Sequence, residues 1–275
     1  MIILGSGTPI PDALSSGPAV AIVAGGQAYL FDAGAGVVRR AQEAAERYHI
    51  PGLAASNLTR LFLTHLYSDH TLGYADVILT SWVDGRREAL EVFGPKGTAA
   101  MTEHLKLAFS EDIDIRTHGL EQEDAAGPRV NVHEISAGPA YRDARISVRA
   151  IAVRHGSWPQ AFGYAVEAGG RTIVLSGDTA PCPAIEEACQ GCDVLVHEVY
   201  SAARFAQLEP SLQEYHAAFH ASTAELAAVA ARSRPKLLVL YHQIYFGPRK
   251  GVDLVKEIRQ GYSGKVVSSR DLDSF

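Results

Sequence analysis

Apolar residues gather in short runs through the first part of the chain: Met1–Leu4, Ala19–Val23, Tyr29–Phe31 and Arg60–Leu63. Gly5, Gly7, Pro9, Pro11, Gly25 and Gly26 punctuate them, so each run reads as a strand ended by a turn. After Gly36 the period changes. Val37, Val38, Ala41, Ala44 and Ala45 fall on one helical face, which predicts a helix to about Tyr48. A second helix is expected just after His70, carrying Leu72, Ala75, Val77, Ile78 and Leu79, and a third over Gly97–Phe109. Strands resume at Val130–Ile135, Ile146–Val153, Phe162–Glu167, Arg171–Leu175, Val194–Val196 and Lys236–Leu240, with helices at Thr223–Arg232 and Val252–Gln260. Strand-rich blocks followed by helices, twice over, predict two sheets packed together with helices outside. That is an α/β fold, a four-layer αββα sandwich, expected as a single domain over residues 1–275.

The chain has 275 residues, 47% of them hydrophobic, enough to bury a full core. Its 25 basic and 31 acidic residues give a net charge of −6, with no long run of one sign. Proteins that wrap nucleic acid usually carry an electropositive footprint, so the balance disfavours a nucleic-acid partner. No apolar stretch approaches the ~20 residues of a membrane span. The chain opens on an apolar strand without a basic leader region, so a cytoplasmic location is expected, or a periplasmic one if a leader has been trimmed. Cys182, Cys189 and Cys192 are too few for a disulfide scaffold and read as small core residues.

The informative stretch is Leu63-Thr64-His65-Leu66-Tyr67-Ser68-Asp69-His70, where a strand ends and two histidines and an aspartate crowd the turn before a helix. Imidazole and carboxylate are ligands that divalent zinc, iron or manganese accept at neutral pH. Further donors recur at strand ends: His155 after Ile146–Arg154, Asp178 after Arg171–Leu175, and His242 at the close of Leu237–His242. A rigid scaffold with its site at strand ends is the usual arrangement for catalysis. One histidine alone is more often surface or core, and His49, His104, His118 and His133 are read that way. Gly5-Ser6-Gly7 is neither a dinucleotide fingerprint nor a phosphate loop, and no GxSxG elbow is present.

His65, Asp69 and His70 match the HxHxDH motif of the metallo-β-lactamase superfamily except at its second histidine, where Tyr67 stands. Phe31-Asp32-Ala33-Gly34 resembles the family's strand-end aspartate motif, and Leu4-Gly5-Ser6-Gly7-Thr8-Pro9 its opening. The chain is similar to this family along essentially its whole length. Within it, Ser176-Gly177-Asp178-Thr179, His197-Glu198 and His220-Ala221-Ser222-Thr223 resemble motifs of the ribonuclease Z-like branch.

The resemblance implies a metal-dependent hydrolase in which a metal-activated hydroxide attacks the substrate. The cofactor would be zinc, one ion or two, with manganese or iron as alternatives. It implies one metal position held by His65 and His155, a second by Asp69, His70 and His242, and Asp178 bridging them. Asp69 would also orient the attacking hydroxide, His220 would serve as general acid, and Glu198 would orient it. Tyr67 has three open readings: it leaves the first position weak, ligates as phenolate, or contacts substrate. In true ribonuclease Z a long glycine-rich arm that grips tRNA lies between the histidine and aspartate matched here by His155 and Asp178. These stand 23 positions apart, room for little more than a hairpin. The expected substrate is therefore a small-molecule ester of phosphodiester type, without a nucleic-acid partner. Lactone, sulfate-ester or β-lactam hydrolysis, iron-dependent redox chemistry and a non-catalytic binding role are the alternatives. Trp82–Glu88 and the region of Trp158 are expected at the site's entrance. Homodimerisation is common in such relatives, but the sequence carries no signal for it.

Overall fold

The computed structural model describes residues 1–275, which divide into two compact units, Met1–Ile135 with Arg270–Phe275, and Ser136–Ser269. The first unit is built on a six-stranded sheet in sequential order: β1 (Ile2–Gly5), β2 (Ala19–Ala24), β3 (Gln27–Phe31), β4 (Arg60–Phe62), β5 (Leu90–Gly94) and β6 (Val130–Glu134). β1 to β3 are antiparallel hairpin neighbours, and the pairings from β3 to β6 are parallel. Parallel neighbours need crossovers, and these contain α1 (Val37–Tyr48), α2 (Ser68–Thr71), α3 (Tyr74–Val83), α4 (Thr98–Ala108) and α5 (Ser110–His118). Leu4, Leu30, Leu61 and Val92 pack on Val37, Val38 and Ala41 of α1 and on Val77 and Ile78 of α3. The alternate residues Ile3, Val20, Phe31, Phe62 and Phe93 are buried as well, which is why these strands read as continuous apolar runs. Phe31, Phe62 and Phe93 are register partners and stack along the sheet with centroids 4.9 Å apart.

The last residues belong to this unit. Leu272 N–H donates to Ile3 O, Ile3 N–H to Asp273 O, and the Met1 ammonium to Phe275 O. The Asp271 carboxylate accepts from the backbone N–H groups of Ser6 and Ser16 and from the Ser6 hydroxyl.

Two expectations change in this unit. The helix expected after His70 begins earlier, and Asp69 and His70 sit inside α2. Gly73 then separates α2 from α3, where a Cβ would stand 2.3 Å from Gly34 O. Trp82 does not line an entrance: it is fully buried, packed on Gly127, and its indole N–H donates to Asp124 O.

The second unit holds a seven-stranded sheet ordered β13-β12-β11-β10-β9-β8-β7. Its strands are β7 (Gly138–Arg142), β8 (Ile146–Ala152), β9 (Phe162–Ala168), β10 (Arg171–Leu175), β11 (Val194–Tyr200), β12 (Leu238–Ile244) and β13 (Val266–Ser268). β7 to β10 pair antiparallel, and β10 to β13 pair parallel. The helices are α6 (Pro183–Cys189), α7 (Ala202–Phe205), α8 (Pro210–Phe219), α9 (Thr223–Ser233) and α10 (Leu254–Ile258). Val174, Leu195 and Leu240 pack against Ile185 of α6, Leu226 and Val229 of α9, and Ile258 of α10. All three cysteines are buried in this core, as small core residues should be; Cys182 is free, and Cys189 and Cys192 are joined by a disulfide. β11 and β12 run four residues further than the apolar pattern suggests, so His197, Glu198 and His242 lie inside strands. No helix is long and apolar enough to cross a membrane.

Candidate functional site

In the first unit the site residues follow β4, and their organiser is Asp32 at the end of β3. Asp32 takes a left-handed backbone (φ 62°) and is buried. Its Oδ1 accepts from Thr64 N–H at 2.8 Å, and its carboxylate also accepts from the Thr64 hydroxyl at 2.9–3.0 Å. Its Oδ2 lies 2.7 Å from His70 Nδ1. With that hydroxyl donating to Asp32, its oxygen accepts from His65 Nδ1 at 2.9 Å. Both imidazoles are therefore set as Nδ1–H tautomers with the lone pair on Nε2. The His65 and His70 rings lie 4.2 Å apart, and His70 Nε2 is 3.5 Å from Asp69 Oδ2. Tyr67 precedes α2, half-buried, its ring edge-on to His65 at 5.4 Å. Its carbonyl accepts from His70 N–H and the Thr71 hydroxyl, so the backbone of this position secures α2 whatever the side chain does.

In the second unit His155 follows β8, and its Nδ1–H donates to Phe219 O at 2.9 Å, again leaving the lone pair on Nε2. Asp178 follows β10 and is buried. One ligand atom each from Asp178, His220 and His242 lies within 4.8 Å of the others. His242, at a strained φ of 43°, places Nε2 3.4 Å from Asp178 Oδ2. His220 Nδ1 is 3.3 Å from Glu198 Oε2 and 4.0 Å from Asp178 Oδ2. Glu198 is fixed in turn by Ala221 N–H, donating to Oε1 at 2.7 Å. Burial, reinforced by the Asp178 carboxylate, pushes the Glu198 carboxyl well above the usual carboxylate range. Burial likewise pushes His197 down to about 4, and its Nδ1–H donates to Glu198 O. Two residues after His220, Ser222 caps α9 in a reciprocal capping box with Glu225. The hydroxyl of this motif is thus occupied with the helix.

Imidazoles with their Nδ1–H groups anchored, and buried carboxylates beside them, make a donor set that suits a divalent metal. Asp32 is the member that motif reading left out of the site. Its signal was its place at the end of β3, and its role appears only once Thr64 and His70 are seen to share its carboxylate.

Histidines and aspartates displayed at strand ends of two mixed α/β sheets are features of a metal-dependent hydrolase with the metallo-β-lactamase fold. Residues 27–243 match the family model described as the beta-lactamase superfamily domain, and the chain belongs to that superfamily, in its ribonuclease Z-like branch. It is 34% identical over 275 residues to a ribonuclease Z of Mycobacterium bovis (strain BCG / Pasteur 1173P2), covering 98% of this chain and 95% of that one. In structure it is similar to the metallo-beta-lactamase fold protein YhfI from Bacillus subtilis, with a TM-score of 0.73, 17% identity, and 99% and 97% of the two chains covered. It is also similar to the short form of human tRNase Z, with a TM-score of 0.70, 22% identity, and 98% and 96% covered.

The relatives overturn the expectation that nucleic acid is no partner, since a near full-length relative carries the name of an RNA-cleaving enzyme. Whole-chain charge hid the relevant distribution. The acidic surplus lies in the first unit, with 11 basic against 19 acidic residues, while the second has 14 against 12. Two of those 12, Asp178 and Glu198, are buried, so the second unit's surface is net basic.

Proposed function

We propose that the chain is a metal-dependent phosphodiesterase that cleaves RNA. The observation that carries this reading is 34% identity, over 98% of this chain, to a protein named ribonuclease Z; the family's metal motifs are matched in this chain at His65, Asp69, His70, His155, Asp178 and His242. His65, His155 and Asp178 would hold one metal position, and Asp69, His70, His242 and Asp178 the other. A divalent metal supplies a water whose pKa falls to about 7 and a polarised phosphoryl group. Asp69 orients the attacking water. His220, positioned through Nδ1 by Glu198, donates a proton to the leaving oxygen. Tyr67 leaves the first position one ligand short of the family's pattern, so that position is the weaker.

The test is cleavage of a single-stranded RNA and of a small chromogenic phosphodiester, with metal content measured on the same protein. Both substrates should be cleaved, and a chelator should stop both. His220→Ala should lower RNA turnover about 10²–10⁴-fold with metal content retained. Turnover of the small diester without any cleavage of RNA would sink the reading. Two equally tight metal equivalents per chain would overturn the assignment of Tyr67.

A further inference from the structure

An RNA-cleaving reading leaves one question of grip. Only the β9–β10 hairpin lies between His155 and Asp178. Helix α8 offers an alternative purchase. Leu212, Tyr215, His216 and Phe219 recur on it at helical core spacing, yet of the four only Phe219 is buried. Leu212 is 47% exposed and Tyr215 45% exposed. An apolar stripe left open to solvent on a helix marks a surface that meets something.

The stripe continues into an aromatic cluster. Tyr215 stacks on Phe219 with centroids 4.5 Å apart and planes 26° from parallel. His216 meets Phe246 edge-to-face at 4.6 Å, and Phe246 lies 5.5 Å from Tyr200. The His216 ring also lies 5.9 Å from that of His220. Phe246 is held in the left-handed region, φ 50°, where a bulky residue is a genuine outlier. The Arg204 guanidinium supports that turn, donating to the carbonyls of Tyr245, Pro248 and Lys250. His216 Nδ1 is buried and makes no hydrogen bond. Burial, with His220 alongside, lowers His216 to about 4, so its ring is neutral at pH 7.

Resting on the RNA reading above, we propose that the exposed ring of Tyr215, backed by Phe219 and braced edge-on by His216, which Phe246 in turn holds edge-on, is a platform on which an unpaired nucleobase of the substrate stacks. Every base has a π-face, so such a platform grips a strand without reading its sequence. Two hydrogen bonds tie its supports to the site: the backbone Gly156 N–H donates to Ala218 O, and the side-chain His155 Nδ1–H to Phe219 O.

The test is steady-state cleavage of a short single-stranded RNA and of versions with one abasic nucleotide, by wild type, Tyr215→Leu, Tyr215→Trp and Phe246→Leu. Leucine keeps helix propensity and apolar bulk but removes the π-face. Tyr215→Leu and Phe246→Leu should raise KM for the intact RNA roughly 5- to 100-fold with kcat little changed, and Tyr215→Trp should retain tight binding. In wild type, one abasic position should cost a similar factor, and that position should cost nothing more in Tyr215→Leu. Equal KM for wild type and both leucine variants would overturn the platform while leaving the RNA reading intact. Losses that are the same on intact and abasic RNA would overturn it too, as the mark of a merely structural role. A wild-type protein that does not cleave RNA would overturn both.

Discussion

The carboxylate of Asp32 receives Thr64 twice and His70 once, and through the Thr64 hydroxyl it sets His65 as well. Replacing it with asparagine turns one acceptor into a donor facing donors, while asparagine tolerates the left-handed backbone. Asp32→Asn should therefore fold and bind metal about 10- to 100-fold more weakly, as read by competition with a chelator. His197 gives a pH prediction. Its value is about 4 folded against 6.5 unfolded, so between these the unfolded chain takes up a proton that the folded one refuses. Its contribution is fully present above pH 6.5 and is lost as pH falls toward 4, up to about 3 kcal/mol. Urea unfolding near neutral and near acid pH should show the loss, and His197→Asn, which keeps a donor where Nδ1 stands, should flatten it. Most of the candidate ligands were legible as motifs because the chemistry demands those residue types at strand ends. Asp32 was seen only as a motif, since two of its partners lie more than thirty positions away.

At the level of elements, the junction of α8 with the loop after β8 sets His155. Gly156 has φ 53°, and a Cβ there would stand 2.0 Å from the Phe219 ring. Gly156→Ala should cost roughly 2–4 kcal/mol, from positive-φ strain and overpacking, and should lower metal affinity by displacing His155. Adding Phe219→Ala should recover part of the metal affinity, because the second substitution opens the space. If thermal unfolding of Gly156→Ala matches wild type, the contact is not tight. Helix α8 was not among the expected elements: its apolar period is short and broken by polar residues, and only Phe219 of it is buried. Helix α1 was legible to its last residue, since five of its residues are buried on one face. The ends of β11 and β12 were lost for a different reason: His197, Glu198 and His242 are polar, and the pattern stops where they begin, although all are buried.

Across the molecule, charge is divided rather than diffuse, with the first unit carrying the acid and the second a small basic excess. A strand that neutralises two or three phosphates on such a surface releases counterions. Cleavage of RNA at subsaturating concentration should then fall about tenfold between 50 and 200 mM salt. A flat salt profile would remove the charged surface from the account of binding.

The return of Leu272 and Asp273 to pair with Ile3, and of Phe275 to the Met1 ammonium, makes the second unit an insertion within the first. The order of residues along the chain is then separable from the fold. The ends can be joined by a short glycine linker and the ring opened at Gly169-Gly170, in the β9–β10 turn, where a Cβ on either glycine meets nothing within 4 Å. Such a rearranged polypeptide would retain every strand pairing, and its cooperative melting would show that proximity of the ends, not their position in sequence, is what the architecture requires.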